Sequence, residues 1–548
     1  MYLRTTSRRN KDGSVVRYLQ LAHNTWDPQR KRSTTRILLN FGRADRVDRA
    51  ALARLCDSIR RVALGETPGV PPGSGSWEIL RSRPAGAVHA ARALWEELGI
   101  AAIIGDLVPR RRNRAPHERA LFAMVAHRLL DPGSKRACHL SFLRDGVYLP
   151  AADELHLEQL YRALDFLDEH AEVIERRVFE SAAQTLGASV DLVFFDTTST
   201  YFHTEEEDDL RRRGHSKDER PGNPQIVIAM AVTREGIPVR SWVLPGNTAD
   251  VTVVKRIKQD LSEWKLGRVL LVGDGGMDSK DNRRALAKGL GHYILAVPSG
   301  RVAEAKEVLA HRGRFRRLDS GLGVKQVVIG KGERRRRYVV VHNPQEERRQ
   351  QKHRAELLEQ LAGELGSLDY DGDRHTRRVC GLLTSRRFGR FLSQDEDGVL
   401  DIDPKKVERA GRADGKTLLI TNDDTIEPAD VADAYRSLMI IESCFRRLKT
   451  TGLRIRPVYH WTEKRIEGHV KLCVLALLIQ RTAEIRAGRS WAEIKNVLGR
   501  IFAVDCQVEG KLVVRTTKLS AEAVSLFDAL GVKRPSPVLE VGPAPKPA

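Results

Sequence analysis

Three acidic residues stand where their spacing could do chemistry. Asp196 and Asp274 each close an apolar run, Leu192-Val193-Phe194-Phe195-Asp196 and Val269-Leu270-Leu271-Val272-Gly273-Asp274. Glu442 lies in a helical pattern, on one stripe with Tyr435 and Lys449. Carboxylates at two strand ends and on a helix can hold a pair of Mg²⁺ ions about 3.5–4 Å apart, the arrangement that drives in-line phosphoryl transfer. Mg²⁺ suits an all-oxygen ligand set and keeps waters and substrate phosphates as its other ligands. The chemistry indicated is cutting and joining of a nucleic-acid backbone.

A lone Asp at a strand end is usually a turn former. Asp196, however, is followed by Thr197-Thr198-Ser199-Thr200, which offers hydroxyls and no cation. Asp274 sits in Gly273-Asp274-Gly275-Gly276-Met277, where glycines let backbone or phosphate come close. Tyr435, Glu442 and Lys449 are seven residues apart, so each step drifts only about 20° around the helix. Leu438 and Phe445 fall on the same face. A Glu among Tyr, Leu and Phe is costly unless paired or metal-bound, and Lys449 is too far along the helix to pair with it.

The elements that must position these residues follow from composition and patterning. The chain has 548 residues, which implies several cores. Its formal charge of +21, with 30% charged residues, points to a polyanionic partner. Cys56, Cys138, Cys380, Cys444, Cys473 and Cys506 include no C-x-x-C pair, so no disulfide framework or zinc site is expected and a reducing cytoplasm fits. The N-terminus lacks a signal-peptide pattern, and the apolar run Leu472 to Ile479 is too short to span a bilayer.

Residues 1–64 read as a small basic β/α module, a β meander and a short helix, with possible binding to DNA ends. A Gly/Pro-rich linker follows at 65–85, then a helical domain at 86–190. Strands over 191–298 come in the order three antiparallel, then strand, helix and strand. That order is what the first part of a ribonuclease-H-like α/β core requires. Residues 299–425 read as an inserted β-rich subdomain with strands at Val324–Ile329, Tyr338–His342, Val379–Thr384 and Thr417–Thr421 and a charged helix at Glu346–Leu365. Core helices over 426–490, one of them running from Pro428 to Lys449, carry Glu442. A C-terminal segment, 491–548, ends in a Pro-rich tail expected to be disordered.

With these residues in place, the chain resembles the DDE transposases of bacterial insertion sequences. The branch is the insertion sequence four family, whose third acid lies in a Tyr-x₂-Arg-x₃-Glu-x₆-Lys signature. Tyr435, Glu442 and Lys449 match it, while Leu438 fills the Arg position and Arg436 lies on another side of the helix. Gly214-His215-Ser216-Lys217-Asp218 and Pro245-Gly246-Asn247-Thr248-Ala249-Asp250 also resemble that group.

The resemblance implies a ribonuclease-H-like fold split by a β-rich insertion. It makes Asp196, Asp274 and Glu442 the catalytic and metal ligands of two Mg²⁺ ions, with Mn²⁺ able to substitute. Tyr435, Lys449, Arg446, His215 and Lys217 would contact DNA. The partners would be double-stranded DNA, both the terminal inverted repeats and the target, and a second copy of the chain on that DNA, with no membrane and no other protein partner. The location would be the bacterial cytoplasm, at the nucleoid. Relatives that form a hairpin use an aromatic of the insertion to stack a flipped base. No Trp lies between Trp264 and Trp461, which leaves Phe315 and Tyr338 for that part.

Basic residues concentrate at Arg8, Arg9, Lys11, Arg30, Lys31 and Arg32, a candidate reader of the repeats. They concentrate again at Arg312, Arg314, Arg316, Arg317 and the run Arg334–Arg337, where charge on exposed strand edges would either protect the edge or attract phosphate. Two other readings compete. A catalytically inactive transposase-derived DNA-binding protein would need only the charge. A haloacid-dehalogenase-type phosphatase would need an Asp where Thr198 stands.

Overall fold

The computed structural model describes residues 1–28, 31–64, 78–109, 115–188, 190–264, 269–298, 303–368, 373–508 and 511–543. Arg30, most of the expected linker (65–77) and the last residues of the expected tail (544–548) lie outside them. Two compact bodies form, one built on Met1–Glu78 and the other on Ile79–Cys506 with Val513–Gly542.

In the first body, strands β1 (Tyr2–Arg9), β2 (Val15–Asp27) and β3 (Arg32–Arg43) form an antiparallel meander, followed by a helix at Arg49–Leu64. β2 is the centre strand. Its pairing with β3 slips at Leu19/Gln20 and at Leu21/Ala22, irregularities that bend and twist the ribbon. Both faces are largely exposed, and Trp26, Ile37 and Leu39 are open to solvent.

The second body is organised by one large mixed sheet. After β4 (Glu78–Pro84) its strands are β5 (Leu192–Tyr201), β6 (Gln225–Thr233), β7 (Pro238–Pro245), β8 (Leu270–Gly273), β9 (His292–Val297), β10 (Arg316–Arg317), β11 (Gly323–Ile329) and β12 (Arg336–His342). Beyond a hairpin of β13 (Leu392–Gln394) and β14 (Leu400–Ile402), β15 (Lys416–Thr421) returns to it. The order across the sheet is β10-β11-β12-β15-β9-β8-β5-β6-β7. β5 with β8 and β8 with β9 are parallel, and every other neighbouring pair is antiparallel. The helix Lys280–Ala287, capped by the Ser279 hydroxyl accepting from the Asn282 N–H at 3.1 Å, makes the crossover that a parallel pair needs.

Every residue of β6 is buried, because the sheet is covered on both faces. One face, with Leu192, Phe194, Ile228, Met230 and Val272, packs on the helical region and on Ile441 and Phe445. The other, with Val193, Phe195, Ala229 and Leu271, packs on Val253, Val254 and Ile257. The helix Glu463–Ala487 runs through the first of these cores and is buried continuously from Gly468 to Gln480. No helix among the described residues is long and apolar enough to cross a membrane.

Residues 299–425 divide. β10, β11, β12 and β15 extend the main sheet past β9, while the stretch between β12 and β15 builds a small lobe around Leu361, Phe391, Leu392 and Leu400. Val379–Thr384, expected as a strand, is the end of a helix running from Asp373. Val379, Leu382 and Leu383 stand three and four residues apart, and so short an apolar run does not separate the two periods. The arginine run is not an exposed edge either. β12 is an interior strand, and Arg337 is buried, donating to the carbonyls of Asp423 and, at 2.6 Å, Ile426. Arg316 and Arg317 do lie on an exposed edge strand, β10.

Two further expectations change. Val538–Pro543, placed in a disordered tail, forms strand β18 in a small sheet, order β18-β17-β16-β4, with β16 at Phe502–Val508 and β17 at Lys511–Thr516. Thr516 holds its approach, donating from Oγ1 to the Ser536 carbonyl (2.6 Å) and from its N–H to that of Pro537 (3.1 Å). The long helix expected from Pro428 to Lys449 is broken into Pro428–Arg436 and Met439–Arg446, then a wide turn at Arg447–Thr451. Ser437 causes the break. Its hydroxyl donates back to the Asp433 carbonyl at 2.9 Å, and the next bonds, Leu438 N–H to Tyr435 and Ile440 N–H to Ser437, are of the tighter 3₁₀ type.

The helix carrying Glu442 is tied to the scaffold at its C-terminal end. Arg447 reaches Glu484 at 3.1 Å, and Glu484 also accepts from Arg481, from Gln480 (3.1 Å) and from the Trp491 N–H (3.2 Å). Glu484 is buried, so removing it strands two guanidinium groups. Glu484→Ala should lower stability by about 3–5 kcal/mol. Urea denaturation of the full chain would read this as a lower midpoint, and an unmoved midpoint would contradict it.

Candidate active site

Asp196 does not end its strand. β5 continues to Tyr201, and Asp196 faces Met230 across the β5–β6 ladder. The parallel pairing with β8 ends at Phe194–Val272, and β8 itself ends at Gly273. Asp196 and Asp274 therefore each lie two residues past the same paired couple, at matched heights on adjacent strands. The two-residue period of a strand places Asp196 on the face of Phe194, the face that packs on Ile441 and Phe445 of the Glu442 helix. Gly273 makes the close passage possible, because a Cβ there would meet the Phe195 ring at 2.7 Å.

Lys217 is brought in by close loop packing. A Cβ on Gly214 would stand 2.2 Å from the Gly246 carbonyl oxygen, so the two loops can touch only as glycines. Gln225 ties them, donating to the carbonyls of His215 (3.1 Å) and Gly246 (2.9 Å), and the Lys217 N–H donates to the Ser199 hydroxyl at 2.9 Å. The Lys217 ammonium then donates to the Thr197 hydroxyl (2.7 Å) and carbonyl (2.9 Å), pairs with Asp250 at 3.1 Å and stands 3.9 Å from Asp196. Asp196 thus has a cation beside it, supplied from a segment distant in sequence.

Asp250, noted in the sequence only as the end of the stretch Pro245–Asp250, was not expected at the site. It opens the helix Asp250–Glu263, where an acid reads as a favourable helix-start charge, and nothing in its spacing marked it further. Its carboxylate accepts from the Thr197 hydroxyl and lies 3.7 Å from where a Cβ on Gly276 would be. Burial raises the Asp196 carboxyl to about 6. Lys217 and the Thr197 N–H oppose that shift, and the negative charges of Asp274 and Asp250 add to it.

Tyr435 comes from the helix before the Ser437 break and donates to Asp274 at 3.4 Å. Burial raises its hydroxyl, followed by the charges of Asp274, Glu442 and Asp196 in that order, so one phenol feels all three carboxylates. Glu442 itself is exposed, and it makes no hydrogen bond or ion pair with a described residue. Its expected enclosure by apolar neighbours is not found. Leu438 and Phe445 are buried and turn to the core, while the broken helix leaves Glu442 outside it. Leu438 packs in the core and cannot contact phosphate.

The residues expected to touch DNA separate into two groups. Arg446 and His215 are exposed. Lys449 is mostly buried and held by Asp218 at 2.9 Å, and Arg456 lies 3.5 Å from the other oxygen of the same carboxylate. Burial lowers the Lys449 ammonium, and Asp218 opposes that shift. Lys217 is engaged by the acidic cluster. Of the aromatics considered for base stacking, Tyr338 is fully buried with its hydroxyl on Glu304 at 2.6 Å, and Phe315 is partly buried with its ring centroid 5.3 Å from that of His342.

Among the described residues, no group of three or more His, Cys, Asp or Glu side chains is close enough to form a metal cage. The donor set nevertheless fits a hard cation. It offers only oxygen, and burial, with smaller contributions from the charges of Asp274 and Asp250, raises Asp196 to about 6. A Mg²⁺ site is completed by waters and substrate phosphates and does not need a cage built by the protein alone.

Comparison with known families gives two matches. A family model described as "Transposase DDE domain" matches residues 190–479, and one described as "IS1634 family transposase, N-terminal domain" matches residues 3–67. No curated protein matches the chain. Among solved structures, a cryo-EM structure of the piggyBac transposase synaptic complex with hairpin DNA is similar over 76% of this chain and 79% of that one, at 11% identity and a TM-score of 0.37.

A carboxyl raised in the folded state binds a proton that the unfolded chain releases, so between about pH 4 and pH 6 the folded form holds more protons. Stability from this group is therefore present at low pH and lost as pH rises through about 6. Asp196→Asn removes the charge and should raise the thermal midpoint in metal-free buffer more at pH 7.5 than at pH 4.5. Equal shifts at the two values would mean that Asp196 titrates normally.

Proposed function

The chain belongs to the DDE transposases of insertion sequences, and on that premise we propose that it cuts its element from DNA at the terminal inverted repeats and joins the ends to a target. The observation that carries this reading is the matched placement of Asp196 and Asp274 on two parallel strands, beneath the helix that holds Glu442. The strand order β9-β8-β5-β6-β7, antiparallel over β5–β7 and parallel over β5, β8 and β9, supports a ribonuclease-H-like core.

In this reading Asp196, Asp274 and Glu442 hold two Mg²⁺ ions. Bound there, such ions supply activation of the attacking hydroxyl and stabilisation of the leaving oxygen. The protein's own groups prepare the site. Lys217 offsets the repulsion at Asp196. The Tyr435 hydroxyl, kept protonated by its surroundings, donates to Asp274 and orients that carboxylate. Glu442, exposed on its helix, supplies the third carboxylate. Arg446, exposed and without an ion pair to a described residue, takes the phosphate contact that Leu438 cannot make. Lys449 reaches phosphate after releasing Asp218, and exposed His215, two residues before Lys217, adds a further contact to DNA.

The net charge of +21 favours double-stranded DNA as the partner. The basic N-terminal module, through Arg8, Arg9, Lys11, Lys31 and Arg32, is assigned to the repeats. The working form on DNA is a homodimer at the bacterial nucleoid.

Asp196→Asn, Asp274→Asn and Glu442→Gln should each reduce cleavage of a DNA fragment carrying the element's end by more than about 100-fold. Binding to that fragment in a gel-shift assay should change little. A variant that still cleaves removes its residue from the site. EDTA should stop the reaction and Mg²⁺ or Mn²⁺ restore it, and cleavage that persists in EDTA would refute the metal assignment.

A further inference from the structure

Away from the carboxylates, a cavity of about 520 Å³ opens between the N-terminal helical region and the segment after Lys449, a size within the range of about 300–1,000 Å³ typical of ligand sites. Arg128, Lys135, Arg136 and Arg465 line it, and no carboxylate of a described residue does. Asp165, outside the lining, pairs with Arg465 at 3.0 Å.

The two inner cations are buried and incompletely satisfied. The Lys135 ammonium has three donors, and its one bond to a described residue is to His469 Nδ1 at 3.1 Å. His469 in turn donates from Nε2 to the Ile455 carbonyl at 3.0 Å, so it is a neutral imidazole and brings no counter-charge. Arg128 donates to the Arg454 and Gly133 carbonyls (2.8 and 2.7 Å), and its Nε is buried without a partner. Burial, followed by the charge of Arg128, lowers Lys135 to about 7, the behaviour of cations gathered without an anion. At the rim, Tyr459 and Trp461 are largely exposed, with the Arg211 guanidinium 4.9 Å from the centre of the Trp461 ring.

Buried cations with open donors call for an acceptor-rich anion, and exposed aromatic planes beside them call for a flat ring. We propose that this cavity is a second phosphate site, taking one phosphodiester of a single DNA strand with the attached base against Tyr459 or Trp461. The strand as source rests on the DNA reading above. A duplex is too wide for the cavity, so the ligand is a nucleotide separated from its pairing partner. The segment 452–461 links the site in sequence to the Glu442 and Lys449 turn.

The test is fluorescence anisotropy of the full chain with a short labelled single-stranded oligonucleotide, at fixed ionic strength, with inorganic phosphate as a competing probe. Lys135→Met and Trp461→Ala should each weaken binding about tenfold with unchanged melting temperature. Trp461 is exposed, so its variant folds even if the Lys135 variant does not. Affinities within about twofold of the parent in Trp461→Ala and in folded Lys135→Met overturn the proposal. So does inorganic phosphate that displaces the strand at concentrations matching the strand's own, which would make this a free-phosphate site. Loss of cleavage in the carboxylate variants, together with unchanged oligonucleotide affinity in Lys135→Met and Trp461→Ala, rejects this site alone. The reverse pattern rejects the carboxylate reading and leaves this one.

Discussion

Burial of the Asp196 carboxylate among other negative charges is the constraint on which the rest depends. Two parallel strands deliver Asp196 and Asp274 to matched heights, and the helix beginning at Asp250 adds a third negative charge beside them. Among the described residues, the Lys217 ammonium stands 3.9 Å from Asp196, and it is shared with Thr197 and Asp250. A sheet with a core on each face is stiff enough to sustain that arrangement, because neither strand can shift without disturbing packed side chains on both sides.

The helix bearing Glu442 is arranged differently from the two strands. Its ends are fixed, one by the Ser437 back-bond and the other by the Arg447–Glu484–Arg481 network, while Glu442 faces outward with no partner among the described residues. The three acids thus differ in setting, two at the sheet and one exposed on a helix. Lys449 and Arg456 both pair with Asp218, which leaves these cations mostly out of solvent.

Much of this was legible in the sequence. Unbroken apolar runs marked β5, β6 and β8, and seven-residue spacing placed Tyr435 and Glu442 on one helical face. Tyr435 does meet Asp274. Glu442's exposure was hidden, because periodicity gives the side of a helix but not how far a neighbouring turn rotates it away from the core. Asp250 and Asp218 were also hidden. Their partners, Thr197 and Lys449, are 53 and 231 residues away, and only tertiary packing brings them together. Val379–Thr384 was misread because a six-residue apolar stretch fits a strand or a helix equally well.

The central claim, that this crowding is relieved by a divalent cation, can be read at one atom. ¹³C NMR of the Asp196 carboxyl, titrated with pH with and without Mg²⁺, follows its protonation directly. Without metal the midpoint should lie at about 6. Saturating Mg²⁺ should move it down toward the ordinary aspartate range of about 4. A midpoint unmoved by Mg²⁺ would contradict the account.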